Sequence, residues 1–213
     1  MWSSSPQFWG NGLAQFPDHY TGVTSEALLH LSISHDRLGD LAVSRGDGDV
    51  AATHFQAGMD LRMRLVELQP DSVEALHELS ISHDRLGDLA VSRGDRDVAA
   101  THFQAGMDLA VRLVELQPDN VVALRDLAIS HARLGGLAVS RGHGPSAEQQ
   151  YRAGLSIIDH TVRRLGPIGD FVAVGRIFCA RLLVLWSDST DFRRDADAVE
   201  LVSGFLTHVQ ALG

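Results

Sequence analysis

The sequence predicts an all-α fold, a right-handed α-α superhelix (solenoid) of about four helical hairpins. Residues 26–73 and 74–121 align without a gap at a period of 48 and differ at six positions, and a third copy begins at Val122. Apolar residues in each copy recur every three or four positions, which is the spacing of one helix face. Glycine or proline separates consecutive helical segments. Together these features are typical of stacked helical repeats.

The second copy shows why each repeat gives two helices. Asp71 is the predicted N-cap of its first helix, and Gly94 is predicted to end that helix in the left-handed conformation. Asp95 or Asp97 then caps the second helix, which Pro118 ends. The second helix carries two apolar stripes, so it is expected to pack on two neighbours.

The same signals divide the whole chain. Residues 1–23 are an N-terminal extension, interpreted either as the remnant of an earlier helix or as a flexible tail. Residues 24–213 form the solenoid, with units at 24–69, 72–117, 120–165 and 168–213. Helices are predicted at 25–45, 49–69, 72–93, 97–117, 120–141, 145–165, 170–187 and 194–212.

The last two helices differ from the repeats before them. The apolar segment from Phe171 to Trp186 contains two arginines and is too short to span a bilayer, so a buried helix is predicted. The final helix has a polar face opposite an apolar one, which predicts a cap at the end of the stack.

Composition excludes several function classes. A net charge of −9 disfavours nucleic-acid binding, which requires an excess of cations. The chain has no lysine, so it lacks the P-loop lysine and Schiff-base chemistry. A single cysteine, Cys179, excludes an intramolecular disulfide and is interpreted as an inert core thiol in a reducing, cytoplasmic setting.

Eleven histidines raise the question of a metal site. His35, His83 and His131 recur on the first helices, and His54 and His102 on the second helices. No two of the histidines lie at positions i and i+4 of one helix, so no metal and no cofactor are expected.

The repeats resemble the tetratricopeptide repeat, in a long bacterial-type form. Leu38-Gly39, Ala51, Phe55 and Pro70 match the signature of that family, and the second copy repeats them. The resemblance implies a non-catalytic scaffold that binds a protein or peptide segment along the inner stripe of the first helices. The predicted ligand-binding residues of this inner stripe are Ile33, Asp36, Asp40, Val43, Ile81, Asp84, Asp88, Val91, Ile129 and Val139. In the third copy, the stripe has Ala132 and Gly136 in place of the two aspartates.

Two interpretations of the four aspartates stay open. In the first, Asp36, Asp40, Asp84 and Asp88 bind an Arg- or Lys-rich partner segment, and apolar residues near Ile129 hold its apolar part. In the second, Asp36 and Asp84 form solvated salt bridges with Arg37, Arg85 or Arg133 across repeats.

The function predicted from the sequence is protein–protein interaction without enzymatic activity. The alternative is a small-molecule- or metal-binding helical protein with an enzymatic or sensory role, using a pocket between the histidines and the aspartates. The expected partner is a protein or peptide, not nucleic acid and not a membrane. Tryptophan and phenylalanine residues in the N-terminal segment also predict self-association there.

Overall fold

The computed structural model describes residues 21–168, 170–187 and 196–212. Within these ranges the chain forms eight α-helices and no strand. The helices are α1 Thr21–Ser44, α2 Gly48–Leu68, α3 Val73–Arg93, α4 Arg96–Leu116, α5 Val121–Ser140, α6 Gly144–Leu165, α7 Phe171–Ser187 and α8 Ala196–Ala211. The all-α prediction is confirmed, and most predicted helix ends lie within one or two residues of the observed ones.

The chain divides into two compact units at Gln69 and Pro70. In the N-terminal unit, α1 and α2 pack together as one helical hairpin. In the C-terminal unit, α3 pairs with α4 and α5 pairs with α6, while α4 also packs on α5. Helix α6 packs on both α7 and α8, which also contact each other. Consecutive hairpins of the C-terminal unit therefore stack on one another, as repeat proteins do.

The helix ends follow the turn signals with one correction. Ser72, not Asp71, is the N-cap of α3, and its hydroxyl accepts a hydrogen bond from the backbone N–H of Ala75 at 3.2 Å. Asp71 instead accepts a hydrogen bond from Arg112 at 3.0 Å. Gly94 ends α3 in the left-handed conformation with a φ of 82°, as predicted.

A close contact between glycine and an aromatic ring joins the two helices of each hairpin. A Cβ atom added to Gly87 of α3 would overlap the ring of Phe103 on α4. The same holds for Gly39 with Phe55 and, in the third copy, for Gly135 with Tyr151. Glycine therefore stands at this position because the ring occupies the space of a side chain.

The core of the C-terminal unit runs through its last four helices. Leu155, Phe178, Leu182 and Phe205 are completely or almost completely buried there. Helix α7 buries only one face, since Ile177, Leu183 and Val184 on it remain about half exposed; the prediction of a buried helix is therefore correct for one face only. None of the described helices combines the length and the apolar character that a membrane span needs.

The predicted N-terminal extension lies mostly outside the described residues. Helix α1 begins at Thr21, four residues before the predicted start. Self-association through residues 1–20 stays a prediction.

Candidate functional site

In the N-terminal unit, the inner-stripe residue Asp36 forms a buried ion pair. Arg62 of α2 donates two parallel hydrogen bonds to it, from Nη1 to Oδ1 at 3.2 Å and from Nη2 to Oδ2 at 2.7 Å. Asp36 is 7% exposed and Arg62 is 1% exposed. Arg62 is a partner of Asp36 that the sequence-based interpretations did not name. Asp36 is thus part of the packing between α1 and α2.

The remaining inner-stripe residues of the N-terminal unit are more accessible. Asp40 and Val43 are exposed, and Ile33 is partly buried. Of the four stripe residues in the N-terminal unit, Asp36 is thus the buried one.

In the C-terminal unit, one arginine binds both aspartates of the second copy. Arg133 of α5 donates from Nη1 to Asp84 Oδ2 at 2.8 Å and from Nη2 to Asp88 Oδ2 at 3.2 Å. Its guanidinium also lies over the ring of Phe103, 5.8 Å from the ring centroid. The interpretation in which Asp84 pairs with Arg133 across repeats is therefore the one seen in the structure.

Asp84 is only partly satisfied in this arrangement. Its Oδ1 atom is buried and has no hydrogen-bond partner among the described residues. Burial raises the pKa of Asp84 to about 6, while the charge of Arg133 acts in the opposite direction. The like charge of Asp88, one helical turn away, raises the pKa further.

A groove of about 360 Å³ lies beside this ion pair in the C-terminal unit. Three of the predicted ligand-binding residues line it, namely Asp88, Val91 and Ile129. The groove is further lined by residues from α4, α5 and α7, which are Phe103, Ala132, Arg133, Gly136, Leu137, Ser140 and Arg181. Ala132 and Gly136 lie on the predicted stripe, whereas Phe103, Arg133, Leu137, Ser140 and Arg181 are lining residues that sequence reasoning did not assign to the site.

Three predicted residues of the C-terminal unit do not line the groove. Ile81 and Asp84 of α3 are partly buried, and Val139 of α5 is 46% exposed. The groove therefore coincides with only part of the predicted stripe, and ligand binding by the stripe stays a prediction.

Arg181 of α7 is the most informative of the unpredicted residues. Its Nη1 donates a hydrogen bond to the backbone carbonyl of Ala132 at 3.1 Å. Its guanidinium lies over the ring of Tyr151, 5.5 Å from the centroid. Within the residues that the structure describes, Arg181 has no carboxylate partner. The signal for it was present in the sequence, because Arg181 follows Arg133 by one repeat of 48 residues.

The recurring histidines form pairs that sequence reasoning missed. The Nδ1 atoms of His35 and His54 are 3.1 Å apart, and those of His83 and His102 are also 3.1 Å apart. In the third copy, His131 contacts Gln150 at 2.7 Å instead. Each pair joins the two helices of one hairpin, so spacing along a single helix could not reveal it.

Other candidate chemistry is limited in the described part of the chain. No group of three or more His, Cys, Asp or Glu side chains suited to a metal ion occurs there. Cys179 is buried, and burial raises the pKa of its thiol to about 11. The thiol is therefore protonated and unreactive at neutral pH.

Comparisons with known proteins give a likeness to solved structures of helical repeat proteins only at the level of the fold. No protein-family model matches the chain, and no curated protein matches it. A solved structure of a de novo designed helical repeat protein, DHR64, is similar over 87% of each chain at 14% identity, with a TM-score of 0.42. The described helices and the 48-residue period by themselves identify an all-α helical repeat protein.

Proposed function

We propose that the chain is a non-catalytic interaction module of the tetratricopeptide-repeat type, and that its groove binds a segment of a partner protein. The observation that carries the proposal is the groove itself. It has a volume of about 360 Å³, and residues of the predicted ligand stripe form part of its wall. A concave site of this size with mostly apolar walls is typical of binding sites.

The wall chemistry supports a peptide as the ligand. Val91, Ile129 and Leu137 offer apolar contacts, and the pair of Asp88 and Arg133 offers polar ones at the same groove. Such a mixture suits a chain segment that alternates apolar and polar side chains. No histidine or cysteine lines the groove among the described residues, which favours binding over catalysis.

The ion pairs in the structure change the charge that we expect of the partner. An Arg- or Lys-rich segment would have to displace Arg133 from Asp84 and Asp88, or Arg62 from Asp36. These internal pairs make a basic partner less favourable than the sequence alone indicates. The net charge of −9 still disfavours nucleic acid, and we place the protein in the cytoplasm because its single cysteine needs no oxidising compartment.

The test is a selection of short peptides from a random display library on the whole chain. Gly136→Leu fills the groove, and its backbone position tolerates a side chain because the nearest atoms to an added Cβ are 3.9 Å away. Selected peptides should bind this variant at least about tenfold more weakly than the wild type. The matched control is Ser156→Leu, at an exposed position of α6 outside the groove lining.

Equal binding to both variants would contradict the proposal. It would also be contradicted if no peptide were selected at all.

The volume of the groove also suits a small molecule, which keeps the alternative function open. A thermal-shift screen with metal ions, nucleotides and metabolites tests it, since a bound ligand raises the melting temperature. Stabilisation by one such compound, abolished by Gly136→Leu, would favour the alternative.

A further inference from the structure

An arginine recurs at one position of all four repeat units, as Arg37, Arg85, Arg133 and Arg181. The last two belong to the C-terminal unit and can be compared directly. Arg133 lies over Phe103, and Arg181 lies over Tyr151, which follows Phe103 by 48 residues. Both arginines therefore have the same pose against the aromatic ring of the preceding hairpin.

The two arginines differ in the groups that their guanidinium groups contact. Arg133 meets the carboxylates of Asp84 and Asp88 at 2.8 and 3.2 Å. One repeat later the same two positions are Ala132 and Gly136, so the carboxylates are gone. Arg181 donates to the neutral carbonyl of Ala132 instead and has no ion-pair partner among the described residues.

The space left by the missing carboxylates is part of the groove. Ala132, Gly136 and Arg181 all line it. The nearest atoms to the Cβ that Gly136 lacks are Nη1 of Arg181 and the hydroxyl oxygen of Tyr151, each 3.9 Å away. Two hydrogen-bond donors thus lie near the position of the missing side chain, which is the environment that a carboxylate requires.

We propose that Arg181 binds the carboxylate of an Asp or Glu side chain of a protein partner, at the place that Asp84 and Asp88 occupy one repeat earlier. The inference rests on the proposed function, because it names the partner chemistry of the same groove. The partner segment is acidic at one position and apolar beside it, where Val91 and Ile129 form the wall. The charge at this position is opposite to that of the Arg- or Lys-rich partner predicted from the sequence.

The experiment uses the full chain and peptides selected from a library of amidated peptides, which carry no terminal carboxylate. Asp or Glu should be enriched at one peptide position, and changing it to Gln or Asn should weaken binding about tenfold. Arg181→Gln should weaken binding of the acidic peptide by the same factor. This variant should bind the acidic peptide and its Gln or Asn version equally. Arg176→Gln, an exposed arginine of α7 outside the groove lining, is the matched control and should behave as the wild type.

A second variant supplies the missing carboxylate from within the chain. Gly136→Asp restores the residue that the second copy has at this position, so it should pair with Arg181 and compete with the peptide carboxylate. We expect it to abolish the preference for the acidic peptide while the melting temperature stays equal or rises. Because this variant adds a partner for Arg181, a folded protein with lost acid preference cannot be explained by loss of structure.

The outcomes separate the two proposals. Peptides that depend on the groove, as judged by Gly136→Leu, but show no preference for an acidic side chain would overturn the inference and leave the proposed function in place. If the amidated library gave no binder, whereas the same library with free carboxyl termini gave groove-dependent binders, the choice of a side chain as the source of the carboxylate would be overturned. Absence of any groove-dependent peptide would overturn both.

Discussion

The first and second repeats give one aspartate two different partners. Asp36 and Asp84 occupy equivalent positions in copies that differ at only six residues. In the first copy Arg62 of the same hairpin holds Asp36, whereas the second copy has Ala110 in place of that arginine. Asp84 is instead held by Arg133 of the following hairpin. A single residue outside the recognised motif thus decides whether the aspartate has an arginine partner within its own hairpin.

Another of the six differences gives the second repeat a further contact with the third. His77 of α3 replaces Leu29 of the first copy, and its Nε2 lies 2.9 Å from a carboxylate oxygen of Asp126 on α5. The hydrogen bond with Asp126 raises the pKa of His77. The second repeat therefore contacts the third through two polar pairs, Asp84 with Arg133 and His77 with Asp126, and His77 stands at a position where the first repeat has leucine.

The largest expected effect is that of Arg62→Ala, which gives the first copy the residue of the second. It removes the two hydrogen bonds that Arg62 donates to the buried carboxylate of Asp36, so hairpin α1–α2 should lose about 3–5 kcal/mol of stability. Hydrogen exchange of α1 and α2, followed by mass spectrometry, measures the loss locally. The double variant Asp36→Ala/Arg62→Ala should recover part of it, and a loss in the double variant equal to the sum of the losses in the two single variants would show that the pair is not coupled.

Asp84→Asn tests the equivalent aspartate of the second repeat through the pH dependence of stability. Because the pKa of Asp84 is raised to about 6, the folded state binds its proton more tightly than the unfolded state. This contribution to stability is complete below pH 3.8 and is lost as the pH rises through about 6. The stability of the variant relative to the wild type should therefore rise by roughly 2–3 kcal/mol between about pH 4 and 7 and then level off. Denaturant unfolding across this range measures it, and a flat difference would refute the raised pKa.

The glycine contacts should not distinguish the two copies. Gly39→Ala and Gly87→Ala each place a Cβ into a phenylalanine ring, so each should destabilise its own hairpin by about 1–3 kcal/mol. Hydrogen exchange in the two hairpins compares the losses. Gly136→Ala is the control, because that position has space and the helix gains up to about 1 kcal/mol. Unequal losses at Gly39 and Gly87 would mean that the copies differ in more than their aspartate partners.

The smallest expected effect comes from the pair of His83 and His102 in the second copy. Burial lowers the pKa of His83 and of His102, and the charge of His102 lowers that of His83 further. The neutral pair therefore stabilises the fold above pH 6.5, and this stability is lost as the pH falls below that value. His102→Gln copies the partner that His131 has in Gln150 and should retain about 0.5–1.5 kcal/mol more stability than the wild type in mild acid. Melting curves at neutral and acidic pH compare the two proteins, and parallel losses would contradict the prediction.

The fold was predictable because its determinants are local. Helix bounds follow from glycine, proline and capping residues that act within a few positions, and the one capping error, Asp71 for Ser72, concerns adjacent residues. Repetition then extended each local inference to the next copy.

The partners within the site were not predictable in the same way. Arg62 contacts a residue 26 positions away and Arg133 contacts one 49 positions away, so the choice between them depends on packing that no local pattern encodes. The histidine pairs join residues 19 positions apart on two helices. Arg181 was open to prediction from the 48-residue period, but its importance lies in the absence of aspartates at positions 132 and 136, which becomes meaningful only once Arg133 is seen with its carboxylates.

The packing order of the helices also bears on how the chain folds. The helix pairs that pack extensively in the described C-terminal unit are neighbours or next neighbours along the chain. Each contact therefore closes only a short loop, and chains with such local contacts fold within microseconds to milliseconds. Any hairpin can serve as the nucleus, because none requires a strand or helix from the far end of the chain. During synthesis, the early hairpins of this unit can consequently complete their packing before the ribosome has made the last ones.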